Sequence, residues 1–375
     1  MVKLLSIFGT RPEAIKMAPV IQALDDSPAI DSLVCVSAQH RSMLDQVLSA
    51  FDIQPDIDLN VMKPDQDLAH ITTAVLNGIG NVLDEIQPDR ILVHGDTTTT
   101  FAASLAAFYR QIPVAHVEAG LRTGNKYAPF PEEMNRKLAD NIADLFFAPT
   151  DSARDNLLSE NIPAEQIHVT GNTVIDALHY AVAKIKDDQN IIDVIEKGLP
   201  TLDESKRLIL VTGHRRENFG TGFENICTAL QRLGARDDTQ IIYPVNLNPN
   251  VREPVERLLS QQNNIHLIDP LDYLPFVYLM EKAHIVITDS GGIQEEAPSL
   301  GKPVLVMRDV TERPEAVAAG TVKLVGTDVA AITDMAATLL DNEDTYAAMS
   351  QAQNPYGDGK AAPRIRDILL KQHSV

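Results

Sequence analysis

The stretch KLLSIFGTRPEAIK, Lys3–Lys16, carries the pattern that the rest of the chain repeats. A short apolar run meets a single glycine and then a helical pattern that continues through Glu13–Leu24. With one lysine and so brief an apolar run, it reads as a first strand rather than a signal peptide. A dinucleotide-binding turn needs G-x-G-x-x-G, and a P-loop needs G-x-x-x-x-G-K-[ST]; neither is present. Arg11 and Lys16 stand there instead, in the turn and the first helical turn. They are either solvated surface charges or anion-binding groups.

The same alternation extends outward. After Leu24 come SLVCVS, a helix after His40, a long helix through Leu68–Ile86, RILVHG, a helix from Thr97, IPVAHVE, a helix from Glu132 and DLFFAP. A second series begins near Thr201: RLILVTG, QIIYPV, NIHLID, HIVITDS, KPVLVM and TVKLVG. Strands alternating with helices predict parallel sheets covered on both faces. At 375 residues the chain exceeds one ordinary core. The fold class expected is therefore α/β, with two doubly wound, Rossmann-like domains facing a cleft that holds the ligand. The domains are residues 1–185 and 186–355, with the polar helical stretch Lys184–Ser205 as the linker region. Residues 356–375 form an amphipathic helix expected to cross back to the first domain.

Composition narrows the function classes. Apolar residues at 44% and charged residues at 22% describe a soluble globular protein, and no apolar stretch approaches the roughly 20 residues that span a bilayer. The net charge of −20 argues against nucleic acid as a partner, while leaving room for a small anionic ligand bound by local donors. Cys35 and Cys227, both in apolar-periodic segments, read as buried free thiols suited to a reducing cytoplasm. They make no zinc site by themselves, and none of the ten histidines belongs to an H-E-x-x-H, so no metal is expected.

Candidate chemistry gathers just after the strands. Asp96 follows RILVHG and is either a helix cap before Thr97 or an acid at a strand end. Glu118 ends IPVAHVE, a position that points into a cleft; Glu132 and Glu133 start a helix, where they either complement its dipole or join Glu118 in acid–base work. In VTGHRRENFG, His214, Arg215 and Arg216 form either structural polar groups or an anion clamp. In TDSGGIQEEAPSLGKPV, Thr288–Val304, Gly291 and Gly292 let backbone approach an anion at a helix start. Glu296, one turn on, is placed to accept both hydroxyls of a ribose. Glu295 reads only as a helix-start acid.

Taken together, FGTRPEAIKMAP, HGDTTTT, HVEAGLRTGN, PFPEEMNR, GNTVIDAL, VTGHRREN, DSGGIQEEAPSLGKPVLVMRDVTERPEA and NPYGDG resemble the non-hydrolysing UDP-N-acetylglucosamine 2-epimerases, in order from the first strand to the tail. The resemblance implies a GT-B-like fold and reversible conversion of UDP-GlcNAc to UDP-ManNAc with no cofactor. It implies elimination of UDP to 2-acetamidoglucal followed by re-addition, and a cytoplasmic homodimer supplying ManNAc units for envelope polysaccharide. The catalytic residues it implies are Asp96, Glu118, Glu132 and His214, with the C2 base left open among the three carboxylates. The UDP contacts it implies are Arg11, Lys16, Arg215, Phe276, Ser290, Gly291, Gly292, Glu296 and Arg313.

Many members bind a second UDP-GlcNAc as an effector. The corresponding positions here are Gln39, Gln66, Glu132, Arg215 and Asn246. The chain departs from the family at PVNLNP, where Asn246 replaces the usual histidine, and at Asp65, where some members carry arginine. Asparagine keeps hydrogen bonding but loses the imidazole. Two other activities share this outline: a hydrolysing epimerase releasing ManNAc and UDP, and a GT-B UDP-sugar glycosyltransferase, which would need an acceptor site.

Overall fold

The computed structural model describes residues 1–38, 41–63 and 66–373, the side chains of residues 41–43 excepted. Gln39 and Asp65 therefore lie outside the described residues. The chain divides into two compact units, Met1–Tyr180 with Tyr356–Val375, and Ala181–Pro355.

The first unit is built on β1 (Val2–Phe8), β2 (Ile30–Val36), β3 (Ile57–Asp58), β4 (Arg90–His94), β5 (Val114–Val117), β6 (Leu145–Ala148) and β7 (Ile167–Val169). They form one sheet in the order β3-β2-β1-β4-β5-β6-β7, every pair parallel. Residues Leu4–Phe8 of β1 are buried without alternation, as expected for a strand covered by helices on both faces. Gly9 is required at the end of β1: a Cβ there would fall 2.0 Å from Ser37 Oγ and 2.7 Å from Thr99 Oγ1. This close approach explains why the first turn has one glycine without a dinucleotide fingerprint.

The tail belongs to this unit. Helix Ala361–Gln372 packs on helix Arg11–Asp25, and its first N–H groups donate to the buried Asp176 carboxylate, Ala361 at 3.2 Å and Ala362 at 2.9 Å. An acid at a helix N-terminus satisfies otherwise orphaned donors. Ahead of that helix, Tyr356 accepts from Asn172 N–H at 2.7 Å, so GNTVIDAL and NPYGDG meet.

The second unit repeats the plan with β8 (Arg207–Thr212), β9 (Thr239–Pro244), β10 (Ile265–Ile268), β11 (Ile285–Thr288), β12 (Val304–Val306) and β13 (Val322–Leu324). Its sheet runs β10-β9-β8-β11-β12-β13, again wholly parallel. Its core gathers Val211, Phe223, Ile241, Tyr243, Ile287 and Met307, all fully buried. Lys184–Ser205 contains its own helix, Gln189–Lys197. Cys35 and Cys227 are buried and unpaired, and burial pushes both thiols up to about 12. No described helix is long and apolar enough to cross a membrane.

Candidate functional site

In the first unit two of the candidate acids, Asp96 and Glu118, stand at the carboxyl ends of adjacent strands, where open parallel sheets present ligand-binding groups. Glu118 directly follows β5 and has φ +63°, a left-handed backbone that costs a non-glycine residue about 1–2 kcal/mol. Its carboxylate is firmly held. Oε2 pairs with Lys16 Nζ, accepts from Asn172 Nδ2 at 2.9 Å, and lies 3.9 Å from His94 Nε2. His94 is buried with neither ring nitrogen hydrogen-bonded to any of the described residues. Burial pushes its pKa down to about 3 against the pull of Glu118, so the ring beside that ion pair is neutral.

Asp96 is not the helix cap. Thr97 caps helix Thr98–Phe108, its Oγ1 accepting from Thr100 N–H at 3.1 Å. Asp96 Oδ2 instead accepts from Arg136 Nη2 at 2.5 Å, and the Asp96 carbonyl accepts from Asn135 Nδ2 at 3.0 Å. Both donors belong to helix Glu132–Ile142, whose first residue, Glu132, is half-buried. Its neighbour Glu133 is fully buried and accepts from Thr123 N–H and Gly124 N–H, each at 3.1 Å. Glu133 thus ties the loop after Glu118 to the helix start, a role beyond complementing a dipole.

Two buried networks stiffen these strand ends. Glu13 accepts from Gly9 N–H at 3.1 Å, Thr10 N–H at 2.8 Å and Thr97 Oγ1 at 2.8 Å. It couples the turn bearing Arg11 and Lys16 to the residue after Asp96. His116 Nδ1 lies 2.6 Å from Asp140 Oδ1, while its Nε2 lies 2.7 Å from the Gly95 carbonyl. Burial would raise the Asp140 carboxyl, but His116 and the Arg122 guanidinium at 2.7 Å hold it below its ordinary range.

The second unit offers the opposite chemistry. The turn after β8 carries His214 and Arg215, and the turn after β11 carries Asp289 and Ser290 and opens into helix Gly291–Glu296. Asp289 is fully buried; its Oδ2 accepts from His214 N–H and Arg215 N–H, each at 2.8 Å. Ser290 N–H donates to Thr288 Oγ1 at 3.0 Å, and Gln294 Nε2 to the Ser290 carbonyl at 3.1 Å. A Cβ placed on Gly291 would be 4.0 Å from Nη2 of both Arg215 and Arg313, so two guanidinium groups converge beside that backbone. Arg313 is held by the buried Glu295 carboxylate through Nε, which gives a physical role to the acid left unassigned above.

Glu296 is buried over Gly292, with Tyr273 Oη donating to its Oε1 at 3.1 Å. Tyr273 and Phe276 share a face of helix Tyr273–Lys282, being three residues apart. This side of the unit assembles cations, an amide-bearing turn, a held carboxylate and an aromatic ring, the groups that a nucleoside diphosphate needs.

The structure thus brings Lys16 to Glu118 in the first unit, and Arg215 and Arg313 to Gly291 in the second. Of the effector positions, Gln66 and Glu132 belong to the first unit, and Arg215 and Asn246 to the second. Gln66 Oε1 accepts from Lys63 N–H at 3.2 Å, and Asn246 Oδ1 accepts from Asn248 N–H at 2.9 Å. The sequence reading assigned no role to His94, Arg136, Asn172 or Asp289. All four lie within quoted motifs, His94 opening HGDTTTT, but only their surroundings in the fold reveal what they do.

Comparison with known proteins agrees with these chemistries. A family model described as UDP-N-acetylglucosamine 2-epimerase matches residues 22–370. The UDP-N-acetylglucosamine 2-epimerase of Escherichia coli K12 is 58% identical over 368 residues, covering 98% of each chain. The solved UDP-GlcNAc 2-epimerase of Neisseria meningitidis, bound to UDP-GlcNAc, is 55% identical with a TM-score of 0.90, covering 99% of this chain and 100% of its own. The Methanocaldococcus jannaschii enzyme, solved with UDP-GlcNAc and UDP, is 33% identical with a TM-score of 0.80, covering 99% of this chain and 100% of its own. With a family match over most of its length and relatives this similar, the chain belongs to the UDP-N-acetylglucosamine 2-epimerase family.

Proposed function

We propose that the chain interconverts UDP-GlcNAc and UDP-ManNAc without net hydrolysis. A carboxylate among Asp96, Glu118 and Glu132 takes the C2 proton; the C2–H electrons form the C1=C2 bond, and the C1–O bond breaks toward the β-phosphate of UDP. The products of this half are 2-acetamidoglucal and UDP. In the second half the C1–O bond re-forms, and a second acid delivers a proton to the opposite face of C2. The C2 proton is weakly acidic, so stabilising the departing diphosphate is the larger demand. We assign that work to Arg215, Arg313, His214 and the Ser290–Gly292 backbone, with Arg11 and Lys16. Glu296 takes the ribose hydroxyls and Phe276 the uracil.

The observation that carries this reading is the pair of strand-end carboxylates, Asp96 and Glu118, each held by a cation at adjacent strand ends. A transferase acting on a UDP-sugar needs an acceptor site and leaves such a set of acids without a task. We further propose a cytoplasmic homodimer whose product feeds ManNAc-containing envelope polysaccharide, with a second UDP-GlcNAc as effector at Gln39, Gln66, Glu132, Arg215 and Asn246.

The test is incubation with UDP-GlcNAc in deuterated water, followed by NMR. UDP-ManNAc carrying deuterium at C2, without free sugar, is the expected result. Accumulating ManNAc and UDP would replace it with the hydrolysing reaction, and sugar transfer to an added acceptor with the transferase reading.

A further inference from the structure

The buried carboxylate of Asp289 divides its two oxygens between two tasks. Oδ2 is taken by the backbone N–H groups of His214 and Arg215, each at 2.8 Å, with Asn218 Nδ2 at 3.4 Å. Oδ1 is buried and accepts no hydrogen bond within the described residues, yet it lies 3.5 Å from His214 Nδ1. A fully buried charged oxygen without a donor costs free energy unless a neighbour supplies one. The imidazole edge of His214 is a donor within reach of a small ring rotation, and such contacts tighten when a ligand is bound.

We infer that Asp289 is the positioning residue for His214, fixing both its backbone and its ring. With Nδ1–H directed at Asp289 Oδ1, the carboxylate balances the charge of an imidazolium, and the Nε2–H of that imidazolium meets the departing diphosphate. The hydrogen bond made by one ring nitrogen decides what the other can do, as in a catalytic histidine held by a buried aspartate. Asp289 touches neither substrate nor reacting atoms and acts only through His214 and the turn. The inference rests on the proposed function for its kinetic arm and on geometry alone for its spectroscopic arm.

Asparagine separates the two tasks. In Asp289→Asn the amide oxygen keeps the two backbone N–H bonds, while its NH₂ faces Nδ1 as a donor and drives the ring proton to Nε2. Asp289→Ala removes both. Nitrogen-15 NMR of the wild-type chain, with His214 assigned from its loss in His214→Ala, is expected to show neutral imidazole protonated at Nδ1, and Asp289→Asn is expected to reverse this. Asp289→Asn should lower kcat about 10–100-fold, with KM changed by less than about threefold. That loss should vanish in a His214→Ala background, because a residue acting through the ring cannot be missed once the ring is gone. Asp289→Ala should in addition weaken UDP binding, measured by calorimetry.

A neutral wild-type ring with its single proton on Nε2 would overturn the inference without any variant at position 289. So would an Asp289→Asn loss of equal size in the His214→Ala background. A wild-type chain that turns over no UDP-GlcNAc would overturn the proposed function instead, and the tautomer would then decide the inference alone.

Discussion

The two sheets end in mirror-image electrostatics. In the first unit Arg136 is the inner partner of Asp96, 10% of its side chain exposed against 30%, while Lys16 and Glu118 are both nearly buried, at 13% and 10%. In the second the carboxylate is inner: Glu295 is 2% exposed beneath Arg313 at 19%, and Asp289 is 0% exposed beneath His214 at 47%. The same parallel topology and the same strand-end location therefore present acids in one unit and cations in the other. Between the Arg136–Asp96 pair and these pairs of the second unit, what differs is which charge is desolvated and fixed by the scaffold. The buried member orients, and the outer member is left to meet a ligand. A protein with a net charge of −20 can gather groups for a diphosphate in this way, because the neutralising carboxylates lie underneath.

Removing a strand-end acid of the first unit is the strongest way to break the contrast. Glu118→Gln is expected to lower kcat by about 10²–10⁴-fold, the usual scale for acid–base catalysis, with KM little changed. It also removes the carboxylate charge that faces Lys16, so thermal denaturation should be followed in parallel. Turnover near the wild-type level would remove Glu118 from proton transfer and leave the first unit's cluster as a structural ion pair.

Acid titration comes next. His94 is held neutral, its pKa lowered by burial from 6.5 to about 3. Between those values the unfolded chain binds a proton that the folded chain refuses, so stability falls as pH drops, by up to about 1.4 kcal/mol per pH unit from this group. Asp140, held below its ordinary range, adds a loss only at lower pH, as it becomes protonated in the fold. His94→Gln is expected to flatten the decline of melting temperature between about pH 6.5 and 4. An unchanged slope would mean that His94 titrates in the fold.

An inner acid of the second unit should behave differently from the strand-end acids of the first. Glu295→Gln loosens Arg313 and is expected to weaken UDP binding about tenfold, or ~1.4 kcal/mol, with kcat affected less than KM. Isothermal titration with UDP measures it; a loss confined to kcat would break the distinction between the acids of the two units. The smallest effect is expected from an acid of the first unit outside its cluster. Asp176→Ala removes the cap of helix Ala361–Gln372, costs about 1–2 kcal/mol of stability and leaves turnover at 25 °C in place. Loss of turnover with the fold intact would connect the tail to the chemistry.

Much of this architecture was legible in the residues. Strands such as RLILVTG and HIVITDS are continuous apolar runs bounded by turn residues, a pattern that only a sheet covered on both faces requires. β3 and β7 escaped because two and three residues are too few to show any period, and both lie at sheet edges, where pairing rather than composition makes them strands. The strand-end acids were legible because a parallel strand points its carboxyl end at the ligand side. Their holders were not. Arg136 follows Asp96 by 40 residues, and Asn172 follows Glu118 by 54. Nor was the cap: Asp96 and Thr97 are both good capping residues, and only the chain's path chose threonine.

By itself, then, the sequence determined the α/β class, the parallel sheets, the strand-end placing of Asp96, Glu118, His214 and Ser290–Gly292, and the family. These follow from local patterns of apolarity, turn chemistry and motif order, which need no knowledge of distant contacts. Tertiary structure decided which charge of each pair is buried, that Glu133 and Glu295 brace the fold, and that Asp289 lies behind His214. Those depend on side chains 75 residues apart or brought together by parallel crossovers, and desolvation acts only once the chain has closed around them.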